Sequence, residues 1–243
     1  MDRRRALAAS EEEVRCLRGQ SLSEVTPSSR DFSLHVATQK QELAIIARLG
    51  PASPDWGTAH WVAHALACDD AEVAALAVAM GPGGLSTEEL AAVAAATTAP
   101  VLRDDLIIDA SQLYDARLHG ADAAVVPLAA LDDRTVATLI DVAHSLHMAV
   151  VIELLSAADL ERAARLPHVI FGVRCTDAAG VLDLVGTCEL AHQLPRYRTS
   201  IALAEIRSAA EYGSLSGVCD ALVVGEALRA GNVVEVLQSI TGR

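Results

Sequence analysis

With 243 residues, 52% of them apolar and only 3% aromatic, the chain can bury one large core built from alanine, valine and leucine. Its net charge of −13 provides no basic field to attract phosphodiester backbones or anionic lipid, which argues against nucleic acid and membrane surfaces as partners. Five cysteines, odd in number and without a C-x-x-C pair, offer neither a zinc nor a redox site. They read as the reduced thiols of a cytoplasmic protein, and no cofactor is expected.

Residues 1 to 42 differ in texture from the rest. Arg3, Arg4 and Arg5 precede an apolar run of only Ala6 to Ala9, too short for a signal-peptide core. No later segment approaches the ~18 uninterrupted apolar residues that span a bilayer. Ser10 before Glu11, Glu12 and Glu13 predicts a capping-box helix start, and Ser21 to Ser33, with Pro27 inside it, predicts a linker. The expected division is an N-terminal extension over 1–42 and a main domain over 43–243.

From Leu43 onward, short aliphatic runs alternate with alanine-rich helical stretches, the pattern of repeated βα units around a parallel sheet. Strands are predicted at Leu43–Arg48, Val73–Ala79, Pro100–Asp104, Ala121–Val126, Ala149–Glu153, His168–Val173, Thr199–Leu203 and Ala221–Val224. Ser86-Thr87-Glu88-Glu89 and Ser156 to Asp159 mark helix starts, and Gly120 closes a helix before Ala121. Eight units predict an α/β fold of the (β/α)8 TIM barrel type. A Rossmann fold would need a glycine fingerprint after its first strand, and Leu49-Gly50-Pro51-Ala52-Ser53 supplies none.

Barrel chemistry sits at the C-terminal ends of the strands. The polar residues there are Arg48, Asp104, Asp105, Glu153, Arg174, Glu205 and Glu226, which predicts an acidic pocket containing one or two arginines.

The run Pro100-Val101-Leu102-Arg103-Asp104-Asp105-Leu106-Ile107-Ile108-Asp109 resembles the third barrel strand of the indole-3-glycerol-phosphate synthase family, P-V-L-R-K-D-F-I-I-D. Asp104 stands in the place of that family's catalytic lysine. Leu113-Tyr114-Asp115-Ala116-Arg117-Leu118-His119-Gly120-Ala121-Asp122-Ala123 is similar to its Q-I-Y-E-A-R-x-x-G-A-D-A. Val151-Ile152-Glu153-Leu154 resembles L-V-E-V, and Leu222 to Leu228 resembles L-V-G-E-S-L near the phosphate site. The resemblance implies a reaction that closes an indole ring on a carboxyphenylamino-deoxyribulose phosphate, with loss of carbon dioxide and water, through an acid, a base and a phosphate anchor.

The same resemblance implies that this equipment is missing. The family's A-E-I-K-R-R-S-P-S, set against Ala44 to Ala52, puts Ile45 and Ala47 where its glutamate and lysine stand. Its G-I-N-N-R-D becomes Gly172-Val173-Arg174-Cys175-Thr176-Asp177. Its E-S-G-I becomes Leu203-Ala204-Glu205-Ile206, which sets a carboxylate where a glycine amide would meet phosphate. Gly225 persists, whereas Ala227 lacks the family's hydroxyl. Lys40, the only lysine, precedes the first strand, and arginine is a poor substitute acid because its pKa stays above about 12.

Synthase activity is therefore expected to be lost. One reading is a repurposed lyase or cyclase acting on a small, unphosphorylated molecule. Glu153 and Asp104 would be its catalytic carboxylates, and Arg174, Arg48, Asp105, Leu106, Glu205 and Gly225 would bind the substrate. The other is a pseudoenzyme that binds or regulates a partner enzyme of aromatic metabolism. An Asp104–Arg174 salt bridge filling a vacated pocket is the structural alternative to catalysis.

Other features read plainly. His60 and His64 share a helix face beside Trp61 but lack a third ligand for zinc. His144 and His147 suit a helix C-terminus. Met80-Gly81-Pro82-Gly83-Gly84 is expected to be a flexible loop, since it lacks the lysine and hydroxyl of a P-loop. Arg3, Arg4, Arg5, Arg15 and Arg18 belong to a solvated helix or dock on the barrel mouth or a partner.

Overall fold

Successive strand residues point to opposite faces, so each aliphatic run has to supply two apolar surfaces at once. The computed structural model meets this requirement with two separate apolar clusters. Ile46, Ala77, Leu102, Val125, Val151 and Ile201 are among the side chains that fill the barrel interior. Their chain neighbours Ala47, Leu76, Val101, Ala124, Val150 and Ala202 join the larger cluster between strands and helices. The structure describes residues 3–17, 25–38, 43–51, 55–175 and 183–242. Arg18, Ser21, Lys40, Ala52, Ser53, Thr176 and Asp177, singled out in the sequence, lie outside these segments.

In chain order the elements are α1 (Arg3–Leu17), α2 (Phe32–Thr38), β1 (Ala44–Leu49), α3 (Thr58–Asp70), β2 (Ala75–Ala79), α4 (Thr87–Ala96), β3 (Val101–Asp104), α5 (Ala110–Leu118) and β4 (Ala123–Pro127). They continue with α6 (Asp133–Ser145), β5 (Ala149–Leu154), α7 (Ala157–Ala163), β6 (Ile170–Val173), α8 (Leu184–Ala191), β7 (Ser200–Glu205), α9 (Ala209–Leu215), β8 (Ala221–Val224), α10 (Glu226–Arg229) and α11 (Val233–Thr241). The strands run parallel and close in sequence order, β1 pairing with β8, so the fold is a (β/α)8 barrel.

All eight predicted strands exist, with shifted ends. Val73, Ala121 and His168 were expected inside strands, but β2, β4 and β6 each begin two residues later. His168 has φ +49°, outside the extended region. At Ser86 the reciprocal capping box forms with Glu89, and Ser156 caps α7 through the Asp159 amide. Gly120, at φ +93°, makes the turn into β4, where a side chain would strike the Ala94 Cβ at 2.5 Å.

Two expectations before the barrel are corrected. Ser10 caps nothing: α1 begins at Arg3, and the buried Ser10 hydroxyl donates back to the Ala6 carbonyl, 3.2 Å away. Packing overrides the local capping signal, because Ala6, Ser10, Val14 and Leu17 form one buried stripe. The predicted linker ends early, since Phe32 and Ser33 are already helical. Phe32 and Val36, one helical turn apart and each 1% exposed, join the interior cluster.

The end of the motif around Tyr114, at Arg117 and Asp122, is scaffolding at the N-terminal end of the strands. Asp122, 1% exposed, accepts from the Val101 amide at 2.8 Å and from the Ser28 hydroxyl at 2.6 Å. It also pairs with Arg30 and Arg117, each at 2.8 Å.

Candidate functional site

β3 carries two ion clusters on adjacent residues, one on each face. Arg103 points toward the helices and is 1% exposed. Its guanidinium pairs with Asp105 at 2.9 Å, Asp115 at 3.0 Å and Glu13 of α1 at 2.5 Å. Gln112 completes the cluster by donating to Glu13 at 2.7 Å. Burial pushes the Asp105 carboxyl above the usual aspartate range; Arg103 opposes this shift, while Glu13 and Asp104 add to it.

Asp104 follows the alternation into the barrel mouth. Its Oδ2 lies 2.9 Å from Arg48 Nε and its Oδ1 accepts from Arg174 Nη2 at 3.1 Å. Arg48 Nη1 also faces Glu205 at 3.9 Å, and Arg174 Nε faces Glu153 Oε1 at 3.4 Å. Arg3, from the first turn of α1, donates to Glu153 Oε2. Charges therefore alternate across the mouth in the order Glu205, Arg48, Asp104, Arg174, Glu153, Arg3. Burial alone would raise the Asp104 carboxyl, but Arg48 and Arg174 together hold it below the usual range. Arg174 is half-buried, and Asp104 and Glu153 keep its guanidinium firmly protonated.

The face alternation corrects the reading of β1. Ile45 and Ala47, placed by resemblance where charged groups serve the site, pack against the helices. Ile46 lies in the interior cluster, and Arg48, on the same face of the strand, reaches the mouth. A slip of one residue exchanges the faces of a strand. β1 thus supplies a cation to the mouth through Arg48, one of the strand-end residues expected there, while Ile45 and Ala47 face away from it.

Glu205 is presented by an irregularity in β7, where the register against β8 shifts between Ala202 and Glu205. Its Oε1 accepts from the Gly225 amide at 2.7 Å and the Glu226 amide at 2.6 Å. Gly225 permits this approach: a Cβ there would come within 2.9 Å of Arg48 Cβ and 3.1 Å of Glu205 Oε1.

The structure therefore brings together Asp104, Glu153, Arg174, Arg48, Glu205 and Gly225 from the set proposed on sequence. Asp105 is instead bound to Arg103 on the outer face of β3, and Leu106 is buried at 6% exposure outside both apolar clusters. Glu226 pairs with Arg207 at 3.0 Å, away from Asp104. Arg3 belongs to the network, and only the arginine run at the N-terminus hinted at it. His60 and His64 sit beside Trp56 and Trp61, and burial, then Arg229, lowers the His64 pKa. No cluster of three potential metal ligands occurs among the described residues. No described helix is long and apolar enough to cross a membrane.

A family model described as indole-3-glycerol phosphate synthase matches residues 1–239. An indole-3-glycerol phosphate synthase of Variovorax paradoxus is 31% identical over 230 residues, covering 87% of this chain and 85% of its own. A tryptophan biosynthesis protein of Yersinia pestis is 40% identical over 144 residues, 59% of this chain but 30% of its own length. An indole-3-glycerol phosphate synthase of Acidithiobacillus ferrooxidans is 37% identical over 155 residues, 62% of this chain and 59% of its own. The chain thus spans under two thirds of these last two relatives. Among solved structures, an N-acetylmannosamine-6-phosphate 2-epimerase from Clostridium perfringens superimposes with a TM-score of 0.61 at 13% identity, over 90% of this chain and 99% of its own. A tryptophan synthase complex from Pyrococcus furiosus gives 0.60 at 12% identity, over 82% and 98%. At such identities these two likenesses speak for the barrel alone.

Proposed function

We propose that this chain, which belongs to the indole-3-glycerol phosphate synthase family, does not perform the family reaction and keeps its barrel as a binding or regulatory subunit. The observation that carries this reading is the state of Asp104. A group that must donate a proton near neutral pH needs a pKa near that pH. Asp104 is held as an anion between two guanidiniums, and neither arginine can substitute as the acid.

The anion site of the family is also compromised. Glu205 takes up the amides of Gly225 and Glu226, so an incoming phosphate would meet a carboxylate already seated on those donors. Displacing Glu205 would leave Arg48 to neutralise both groups. The barrel mouth is thus matched to itself rather than to a phosphorylated substrate. A partner enzyme of aromatic metabolism is the natural recipient of such a subunit, and its rate or stability would change on addition of this chain.

A second reading, a repurposed lyase or cyclase acting on a small unphosphorylated molecule, rests on Glu153. This carboxylate is 1% exposed, its Oε1 accepts no hydrogen bond, and withdrawal of Arg3 would open its Oε2 to a substrate proton. Incubation of the purified chain with the carboxyphenylamino-deoxyribulose phosphate tests the common premise: product formation should be undetectable. Turnover that survives Glu153→Gln would overturn both the loss of synthase activity and the role given to Glu153.

A further inference from the structure

We propose that the barrel mouth is a binding site for a small organic monocation, a guanidinium or primary ammonium compound, which takes the place of Arg3 on Glu153. The inference goes beyond the proposed loss of synthase chemistry and stands independently of it.

Charge balance carries the argument. With α1 seated, three guanidiniums, Arg3, Arg48 and Arg174, face three carboxylates, Asp104, Glu153 and Glu205. Removing Arg3 leaves two cations against three anions, and the deficit falls on Glu153. Its other cation, Arg174, is shared with Asp104 and stands 3.4 Å away through Nε. A buried carboxylate stripped of its partner is strongly unfavourable, so the site with Arg3 withdrawn has a vacancy for one positive charge.

The Arg3 seat is also imperfect for Arg3 itself. A guanidinium and a carboxylate pair best through two parallel N–H···O bonds. Here Arg3 Nη1 donates to Glu153 Oε2, while Arg3 Nη2 and Glu153 Oε1 are both buried without hydrogen-bond partners. The pair therefore makes one of its two possible hydrogen bonds. A free guanidinium can turn to engage both oxygens, and a free ammonium can bridge them.

Access follows from the difference in burial between the partners. The Arg3 side chain is 32% exposed, whereas that of Glu153 is 1% exposed, so the cation is the outer and exchangeable half of the pair. α1 has a second anchor in the Glu13–Arg103 contact on the outer face of β3. The first turn can therefore release Arg3 while Glu13 keeps the helix on the barrel.

The test uses the full-length chain and methylguanidinium chloride, with tetramethylammonium chloride at equal ionic strength as the cation that cannot donate hydrogen bonds. In Arg3→Ala the internal competitor is gone, and methylguanidinium should bind at least about tenfold more tightly than in wild type by calorimetry. It should also raise the lowered thermal midpoint of the variant. Tetramethylammonium should do neither, and Glu153→Gln added to Arg3→Ala should abolish the binding. Arg3→Met, which keeps the apolar stem, provides the same measurement if Arg3→Ala does not fold. Equal affinity in wild type and the Arg3 variants, binding that survives loss of the Glu153 charge, or an equal effect of tetramethylammonium would each overturn the proposal. Turnover of the family substrate would defeat the proposed loss of activity and leave this site standing. Failure of methylguanidinium to bind would do the reverse.

Discussion

Arg103 and Asp104 are consecutive in the chain, and each is the centre of an ion cluster, yet the two clusters differ in what they can do. On the outer face of β3, one cation is enclosed by three carboxylates, and the cluster ties α1 and α5 to the strand. On the inner face, one carboxylate lies between two arginines whose side chains are each 22% exposed, and the chain of charges ends at Arg3 near solvent. The outer cluster is closed and structural. The inner one is nearly neutral but open at one end, so an exchangeable partner can enter there. The difference lies in what the exposed member holds: Glu13, 25% exposed, is one of three carboxylates on Arg103, whereas Arg3, 32% exposed, is the outermost cation on a buried Glu153.

Of the two clusters, the one around Arg103 is the more sensitive to loss of its central charge. Arg103→Met leaves Asp105, Asp115 and Glu13 facing one another without a cation, and should lower the unfolding free energy by about 4 kcal/mol in urea titration. A loss under about 1 kcal/mol would mean that the outer cluster does not hold the helices.

Asp104→Asn should have a smaller effect, about 2 kcal/mol, because Arg48 and Arg174 are partly hydrated and keep Glu205 and Glu153 as partners. The same variant tests the sign of the linkage. The Asp104 pKa is depressed in the folded chain, so the group binds protons more weakly folded than unfolded. Its contribution is complete above the ordinary aspartate value of 3.8 and is lost as pH falls through the lower folded value. Wild type should therefore lose stability more steeply than Asp104→Asn below that pH. Parallel acid limbs in the two proteins would show that Asp104 is not held as described.

Glu205→Gln should have the smallest effect, below about 1 kcal/mol, since an amide oxygen still accepts from the Gly225 and Glu226 amides. A loss as large as that for Asp104→Asn would place Glu205 within the tightly coupled part of the mouth.

Much of this molecule could be read directly from its residues. Short aliphatic runs between alanine-rich stretches, capping serines and Gly120 announced eight βα units, because each signal is local and each agrees with the barrel. Ser10 misled because its local capping pattern competed with a buried stripe visible only once α1 had a surface to pack on. Ile45 and Ala47 misled because a family pattern slides along a strand with little penalty, whereas the barrel permits one face alone to look inward.

The sequence by itself determined the barrel, the family and the absence of a lysine from every strand. Hydrophobic periodicity and motif order are properties of neighbouring residues, and no folding is needed to see them. Beyond the Asp104–Arg174 pair, which the sequence already suggested, only the tertiary structure decided which charges meet. Arg3 reaches Glu153 across 150 positions, Arg48 faces the interior instead of Ala47, and Asp104 pairs with two guanidiniums while Glu153 Oε1, 3.4 Å from Arg174 Nε, accepts no hydrogen bond. Electrostatic energy depends on distance and burial in space, and neither is encoded by spacing along the chain.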